Sequence, residues 1–150
     1  RSAKRKNMKL AVRLNVLSDL PWENLIDMKE FSEVAFYDYT PNPKRMISFL
    51  KGEFPANYHL TFSRKENNQS IVELIANMGG NIAAVFAGQL PETYLGKKVV
   101  NGDETDLRFL DPRGVIVGLV AKGKGKKGKS KITTSKRSST SSKTRWSSPA

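Results

Sequence analysis

The even spacing of four strand signals constrains the fold of this chain more than any other feature. Segments rich in β-branched and aromatic residues begin near positions 10, 34, 58 and 82, which are 24 residues apart. We predict strands over 9–17, 34–39, 58–63 and 82–86. The first alternates apolar with more polar residues, as a strand with one buried face does. The chain is therefore predicted to repeat a unit that begins with a strand.

Each interval between these strands carries a helix signal. The first helix is predicted to begin near Asp19 and to bury a stripe over 22–28. In the second interval Pro43 suits a first helical turn, and Gly79 with Gly80 ends the third helix. Strands joined by helices of this length pair in parallel with right-handed crossovers. The fold class is therefore predicted to be α/β, with repeated βα units and mainly parallel strands.

The alternatives for such a chain are an open sheet and a barrel. The first turn lacks the glycine-rich sequence of nucleotide-binding open sheets, and the even unit length favours a partial (half) TIM-like barrel. After residue 86 the regularity is lost. We interpret the turns at 101–103 and 111–114 as parts of a hairpin-like excursion between extended segments, which leads into a final core strand over 115–120.

The charge of the chain is concentrated at its ends. The formal net charge is +12, but residues 1–9 carry five basic groups and 122–150 carry ten, with no acid in either segment. The other 11 basic and 14 acidic residues leave 10–121 with a net −3. We predict a basic N-terminal segment at 1–8, a partial-barrel domain at 9–121 and a disordered Lys/Ser/Gly-rich tail at 122–150.

Several classes of function are disfavoured by composition. The chain has no cysteine, one histidine and no GxSxG motif, so neither thiolate metal sites nor hydrolytic triads are expected. No apolar run approaches the roughly 20 residues of a membrane span, and no membrane partner is predicted.

Candidate ligand-binding residues lie where the predicted strands end, because α/β folds bind ligands at the C-terminal ends of parallel strands. His59 and Ser63 share one strand face by the two-residue period, although a lone histidine is more often a core residue. Arg64 could clamp a carboxylate or phosphate, or instead form a surface ion pair with Glu66 or Asp38. The full candidate set is Asn15, Asp19, Asp38, His59, Ser63, Arg64, Asp106, Arg108 and Lys122.

An acidic cluster over 103–111 allows two interpretations. It could hold a divalent metal, but its spacing does not match an EF-hand loop. A structural ion pair between Asp106 and Arg108 is the favoured alternative, and no metal ligand is predicted.

Four motifs, at 12–19, 36–40, 57–64 and 102–111, resemble a group of bacteriophage proteins of unknown function, the family named for gene product 88. The resemblance covers about residues 9–124. It implies a longer protein whose N-terminal portion carries cysteines reminiscent of radical S-adenosylmethionine enzymes, so that this chain is the C-terminal part. An iron–sulfur cluster and S-adenosylmethionine are then expected only with an upstream cysteine segment; the residues present predict no cofactor. The resemblance also implies the cytoplasm of a bacterial host.

Two functional hypotheses follow, and the sequence does not decide whether the protein is an enzyme. The first is an enzyme-like partial barrel that binds a small anionic ligand or nucleotide at its strand ends through Arg64, Asp38 and Asp106. The alternative is a phage protein that binds nucleic acid nonspecifically through its basic termini.

Overall fold

The computed structural model describes residues 8–122 and 143–147. Its strands are β1 Met8–Arg13, β2 Val34–Thr40, β3 Tyr58–Ser63, β4 Ile82–Phe86, β5 Thr93–Tyr94, β6 Lys97–Asn101, β7 Ile116–Val120 and β8 Lys143–Ser147. Its α-helices are α1 Trp22–Leu25, α2 Pro43–Leu50 and α3 Gln69–Asn77, with 3₁₀ turns at Met28–Phe31 and Arg108–Leu110. None of the helices within these two ranges has the length and hydrophobicity of a transmembrane segment.

The strands form one sheet in the order β5-β6-β7-β4-β3-β2-β1-β8. All neighbours from β6 to β1 pair in parallel, and the outermost pairs, β5 with β6 and β1 with β8, are antiparallel. The predicted α/β class with mainly parallel strands is confirmed. The half TIM-like barrel is not, because the described strands form a linear sheet with β5 and β8 at its edges.

Most of the core lies on one side of this sheet. Strands β1 to β4 are neighbours in chain order, and right-handed crossovers place their connections on the same face. We call the side of the sheet that carries these connections the helix face. Its buried cluster joins strand side chains such as Phe62 and Ile116 to Met46 of α2 and Ile75 of α3. Side chains alternate along each strand, so Ala11, Tyr37 and Leu119 belong to the other side, the opposite face.

The first connection, residues 14–33 between β1 and β2, differs from its prediction. Strand β1 ends at Arg13 rather than near residue 17, because the next two backbone N–H groups donate to the carboxylate of Asp38. Helix α1 has four residues, since Ile26 is extended and closes the turn on Trp22. The chain then continues as the 3₁₀ turn Met28–Phe31, which the side chain of Asp27 caps. The predicted long first helix is therefore wrong.

The second and third helices agree with their predictions. Asn42 caps α2 by accepting from the backbone N–H groups of Lys44 and Arg45, and Pro43 occupies its first turn. After α3, Gly79 has a φ of +84°, a conformation that favours glycine. Local capping signals were sufficient to place these two helices because each helix follows its strand by a short loop.

The late segment, residues 87–115 between β4 and β7, contains a β-hairpin followed by a 3₁₀ turn. Strands β5 and β6 are joined by Leu95 and Gly96, whose φ angles of 53° and 70° suit a two-residue hairpin turn. The stretch 107–110, expected to be extended, forms a 3₁₀ turn at Arg108–Leu110 because the backbone N–H of Leu110 bonds back to Leu107. This turn contributes Leu107 and Phe109 to a cluster on the opposite face of the sheet.

The predicted disordered tail covers 122–150, and five of its residues, Lys143–Ser147, form β8 against β1. The prediction does not hold for this strand. The remaining tail residues, 123–142 and 148–150, and the basic residues 1–7 lie outside the described residues.

Adjacent residues of α3 test the assignment of the helix face. Ile75 is fully buried and Leu74 is 46% exposed. We expect Ile75→Ala to lower the free energy of unfolding by about 2–5 kcal/mol, because it leaves a cavity against the sheet. Leu74→Ala is the matched control and should cost less than about 1 kcal/mol. Urea denaturation measures both, and equal losses would contradict the assignment.

Candidate functional site

A buried carboxylate organises the C-terminal end of β1. Asp38, in β2, is fully buried. Its Oδ1 accepts from the backbone N–H of Leu14 at 3.1 Å and of Asn15 at 2.7 Å, and its Oδ2 accepts from Asn15 Nδ2 at 3.2 Å. The hydroxyl of Tyr58 donates to the same Oδ2 at 2.5 Å. Both carboxylate oxygens therefore have two donors each.

The network continues into α2 and the first connection. Arg45 donates from Nη2 to the hydroxyl of Tyr58 at 2.6 Å and to Glu23 at 2.8 Å, and from Nη1 to Asp19 at 2.9 Å. Asn15 accepts, through its side-chain oxygen, from the indole of Trp22 at 2.8 Å. These bonds tie the first connection to three secondary-structure elements that are distant in sequence. We call the set centred on Asp38, Tyr58 and Arg45 the Asp38 network.

Burial is the main cause of the pKa shifts of Asp38 and Tyr58 in this network. It raises the pKa of Asp38 to about 6, against the lowering effects of the Tyr58 hydroxyl, the Asn15 amide, Arg45 and Arg13. Burial and the charge of Asp38 also raise the pKa of Tyr58. Burial disfavours the charge on Arg45, but the hydrogen bond to Glu23 and the nearby acids outweigh it and raise the Arg45 pKa. Because every oxygen of Asp38 is occupied, the network holds structure rather than a ligand.

The opposite face presents a different set of groups. Sheet register places Arg13, Tyr37 and His59 side by side on three neighbouring strands. Arg13 is only 7% exposed, and its guanidinium lies 4.8 Å from the ring centre of Tyr39. Within residues 8–122 and 143–147, neither its Nε nor the hydroxyl of the fully buried Tyr37 has a hydrogen-bond partner. We call Arg13, Tyr37 and His59 the cross-strand row.

The 3₁₀ turn Arg108–Leu110 lies over this row. The ring of Phe109 is 5.8 Å from that of Tyr37 and 5.9 Å from that of His59. Burial, with a smaller effect of Arg113, lowers the pKa of His59. A histidine with a lowered pKa is neutral at pH 7, so the positive charge beside this row comes from arginines.

The structure separates the predicted site residues into groups. Asn15, Asp19 and Asp38 come together in the Asp38 network, whereas His59 lies on the opposite face. Residues of the late segment, together with Lys122, form a third group. Lys122 is 3.6 Å from Asp103, and Arg108 is 3.5 Å from Asp111. The ion pair that was favoured for Arg108 is thus made with Asp111, while Asp106 offers its backbone carbonyl to the Arg108 amide.

Ser63 and Arg64 stand where β3 leads into α3. The backbone carbonyl of Ser63 accepts from Asn68. The guanidinium of Arg64 bonds to the neutral Gln69 side chain at 3.0 and 3.2 Å, and lies 5.8 Å from the ring centre of Tyr94. These contacts direct Arg64 toward the helix face, away from the cross-strand row. In residues 8–122 and 143–147, no three His, Asp or Glu side chains are placed to hold a metal ion.

Four of the central residues were not predicted from sequence. Arg13 and Tyr37 stood within predicted strands, and only the placement of polar groups on one strand face could have indicated them. The sequence pattern indicates only the start of a strand at Tyr58 and a surface position of a helix at Arg45. Their meeting with Asp38 depends on the packing of α2 against β3, which no local pattern encodes.

Comparison with protein-family models decides the family. The model described as gene product 88 matches residues 1–144. The chain belongs to this family. Neither the curated proteins nor the solved structures compared with it give a significant match.

Membership of the gene product 88 family confirms the resemblance and the phage-type assignment drawn from the sequence motifs. The match begins at residue 1 and does not support the expectation that the chain represents only the C-terminal part of a family member. It also gives no support to a likeness to radical S-adenosylmethionine enzymes. An iron–sulfur cluster with S-adenosylmethionine stays a prediction conditional on an upstream cysteine segment.

The Asp38 network makes stability depend on pH. The pKa of Asp38 is about 6 in the folded chain and 3.8 as an unperturbed group. Between these values only the folded state keeps the proton, so the contribution of Asp38 to the free energy of unfolding falls as pH rises from about 4 to about 6. Asp38→Asn does not titrate and leaves part of the network unpaired, which should cost about 1–3 kcal/mol.

The measurement is urea denaturation of wild type and Asp38→Asn at pH 4, 5, 6 and 7. The substitution should cost most at pH 4 and progressively less toward pH 6, because only wild type loses stability over that range. Glu66→Asn, an exposed site, is the control. A cost that is independent of pH would contradict the raised pKa.

Proposed function

We propose that this chain binds a small anionic ligand, a nucleotide being the class that fits best, at the cross-strand row on the opposite face of the sheet. The observation that carries the proposal is the buried guanidinium of Arg13. Among the described residues no carboxylate forms an ion pair with it. The proposal keeps the predicted ligand class and moves its binding group from Arg64 to Arg13.

A buried cation without an anion is costly. Transfer of one charged group from water to the protein interior costs roughly several kcal/mol, even after the protein relaxes. Two interactions offset part of the cost for Arg13. The ring of Tyr39 lies under its guanidinium, and Asp38 acts on it through space, as the effect of Arg13 on the Asp38 pKa shows. An anionic ligand would supply the partner that is missing, in the bidentate geometry that guanidinium favours.

The side chains around Arg13 favour a ligand that also has a planar ring. The ring of Phe109 is within contact distance of those of Tyr37 and His59, and Tyr39 lies beside Arg13. Aromatic faces pack against planar groups. A nucleotide combines a planar base with a phosphate, so it satisfies both requirements.

The charges near the row have the sign that such a ligand needs. Arg113 acts on His59 electrostatically. Arg13 lies in the same row, as the register partner of Tyr37, which in turn pairs with His59. Asp38 does not compete for the ligand, since its oxygens are already bonded on the helix side of the sheet. The nucleic-acid alternative rests on basic termini that lie almost wholly outside the described residues, and it stays a prediction.

Replacement of Arg13 separates binding from stability. Arg13→Met keeps most of the side-chain length and removes the charge. We expect it to weaken the binding of AMP, measured by isothermal titration calorimetry, by at least about tenfold, equivalent to about 1.4 kcal/mol. Because the charge is buried and unpaired, the same change should leave the free energy of unfolding unchanged or raise it by about 1 kcal/mol.

The matched control is Lys98→Met, which removes a charge from an exposed strand position. It should alter neither property. Adenosine, which lacks the phosphate, should bind much more weakly than AMP. Equal AMP affinity in wild type and Arg13→Met would refute the proposal, and a large loss of stability in Arg13→Met would show that Arg13 has a structural role.

The single histidine reports on the same site. The pKa of His59 is lowered in the free chain. An anion bound beside it favours the imidazolium, so saturating AMP should raise the His59 pKa in an NMR titration. By linkage, AMP affinity should increase as pH falls through the range in which His59 titrates. In Arg13→Met, an AMP concentration that half-saturates wild type should raise the His59 pKa much less, and an equal rise would show that AMP binds beside His59 without Arg13.

A further inference from the structure

The first connection, residues 14–33, combines negative charge with exposed apolar side chains. It contains five acidic residues and one basic residue. Four of its large apolar side chains are exposed: Leu17 by 84%, Leu20 by 45%, Leu25 by 60% and Phe31 by 48%. Single exposed apolar residues are common, and here four occur within 15 residues of the chain.

The exposure follows from the local structure. Helix α1 makes a single turn, so it cannot turn a full apolar stripe toward the sheet as α2 and α3 do. Met28 is buried in the core, and Leu25 remains outside. Leu25 therefore lies on the outer surface of this connection.

A cleft adjoins this surface. It has a volume of about 580 Å³ and lies between residues 23–29 and the loop 52–56 that precedes β3. Its apolar lining includes Leu25, Met28 and Phe54, and the acidic residues Asp27 and Glu53 line it as well. Glu23 also lines the cleft but is neutralised by Arg45 at 2.8 Å, which leaves Asp27 and Glu53 against a single cation, Lys29.

We propose that this cleft is a docking site for a segment of a partner protein that presents an apolar side chain flanked by lysine or arginine. Charge complementarity selects such a segment, since the cleft and the whole first connection carry excess negative charge. The apolar side chain would cover Leu25 and Phe54, and the flanking cations would approach Asp27 and Glu53. The site is on the helix side of the sheet and does not depend on the ligand proposed for the cross-strand row.

The test uses the full chain and a fluorescein-labelled peptide of sequence Lys-Leu-Lys-Trp-Lys, with binding followed by fluorescence anisotropy. The double variant Leu25→Ser with Glu53→Gln should bind the peptide about tenfold more weakly, since it loses one apolar contact and one charge. The matched control is Leu74→Ser with Glu66→Gln, which changes an exposed leucine and an exposed glutamate away from the cleft. This control should bind like wild type.

Charge and apolar requirements are tested separately by two further peptides. Glu-Leu-Glu-Trp-Glu and Lys-Ser-Lys-Ser-Lys should each bind at least tenfold more weakly than the first peptide. Equal affinity of the double variant and the control, or equal affinity of the acidic peptide, overturns the proposal. AMP binding should be unchanged in the double variant, so failure here is distinguishable from failure at the cross-strand row.

Two other occupants would also overturn it. If sedimentation velocity shows a dimer that Leu25→Ser dissociates, the cleft is an interface between two copies of the chain. The second alternative occupant is tested with a full chain in which Lys124, Lys126, Lys127 and Lys129 are changed to Ser. If the peptide binds this variant and not wild type, the basic tail of the chain itself competes for the cleft.

Discussion

The carboxylate of Asp38 is the interaction on which the rest of the structure depends. It ends β1 by taking two backbone N–H groups that would otherwise continue the ladder, and it joins β2 to β3 through Tyr58. Arg45 extends the same chain of bonds to α2 and to the first connection. A buried carboxylate is tolerable only when its oxygens are satisfied, so these positions are mutually constrained.

Chain topology decides what covers each face of the sheet. Consecutive parallel strands send their helices to one side, so in the described part of the chain the other side has no helical layer. Within the described residues, the turn Arg108–Leu110 contributes Leu107 and Phe109 to that side, and Arg13 and Tyr37 are buried there. The combination of buried polar groups and few internal partners is unusual in a structural core. It is the reason for placing a ligand on this face and not among the saturated bonds of the Asp38 network.

The two sides of the molecule thus offer different chemistry. The opposite face has aromatic rings and arginines, which suit a small anion with a planar group. The helix side has an acidic, apolar cleft beside a connection whose only α-helix is a single turn. The basic composition of the chain indicated neither, because charge summed over the sequence is dominated by the terminal segments.

The sequence by itself determined the α/β class, strands β2, β3 and β4, helices α2 and α3 and the gene product 88 family, because periodicity, caps and motifs are local properties. It also identified Asn15, Asp19 and Asp38 as polar residues of neighbouring strand ends, although it assigned them to a ligand. Tertiary structure alone decided that the described sheet is linear, that β1 stops at Arg13 and that Arg64 and Arg13 are directed to different sides. The end of β1 and the path of the first connection depend on contacts between residues more than 20 positions apart, such as Asp38 with Asn15 and Arg45 with Glu23. Such contacts leave no trace in the spacing of residues along the chain.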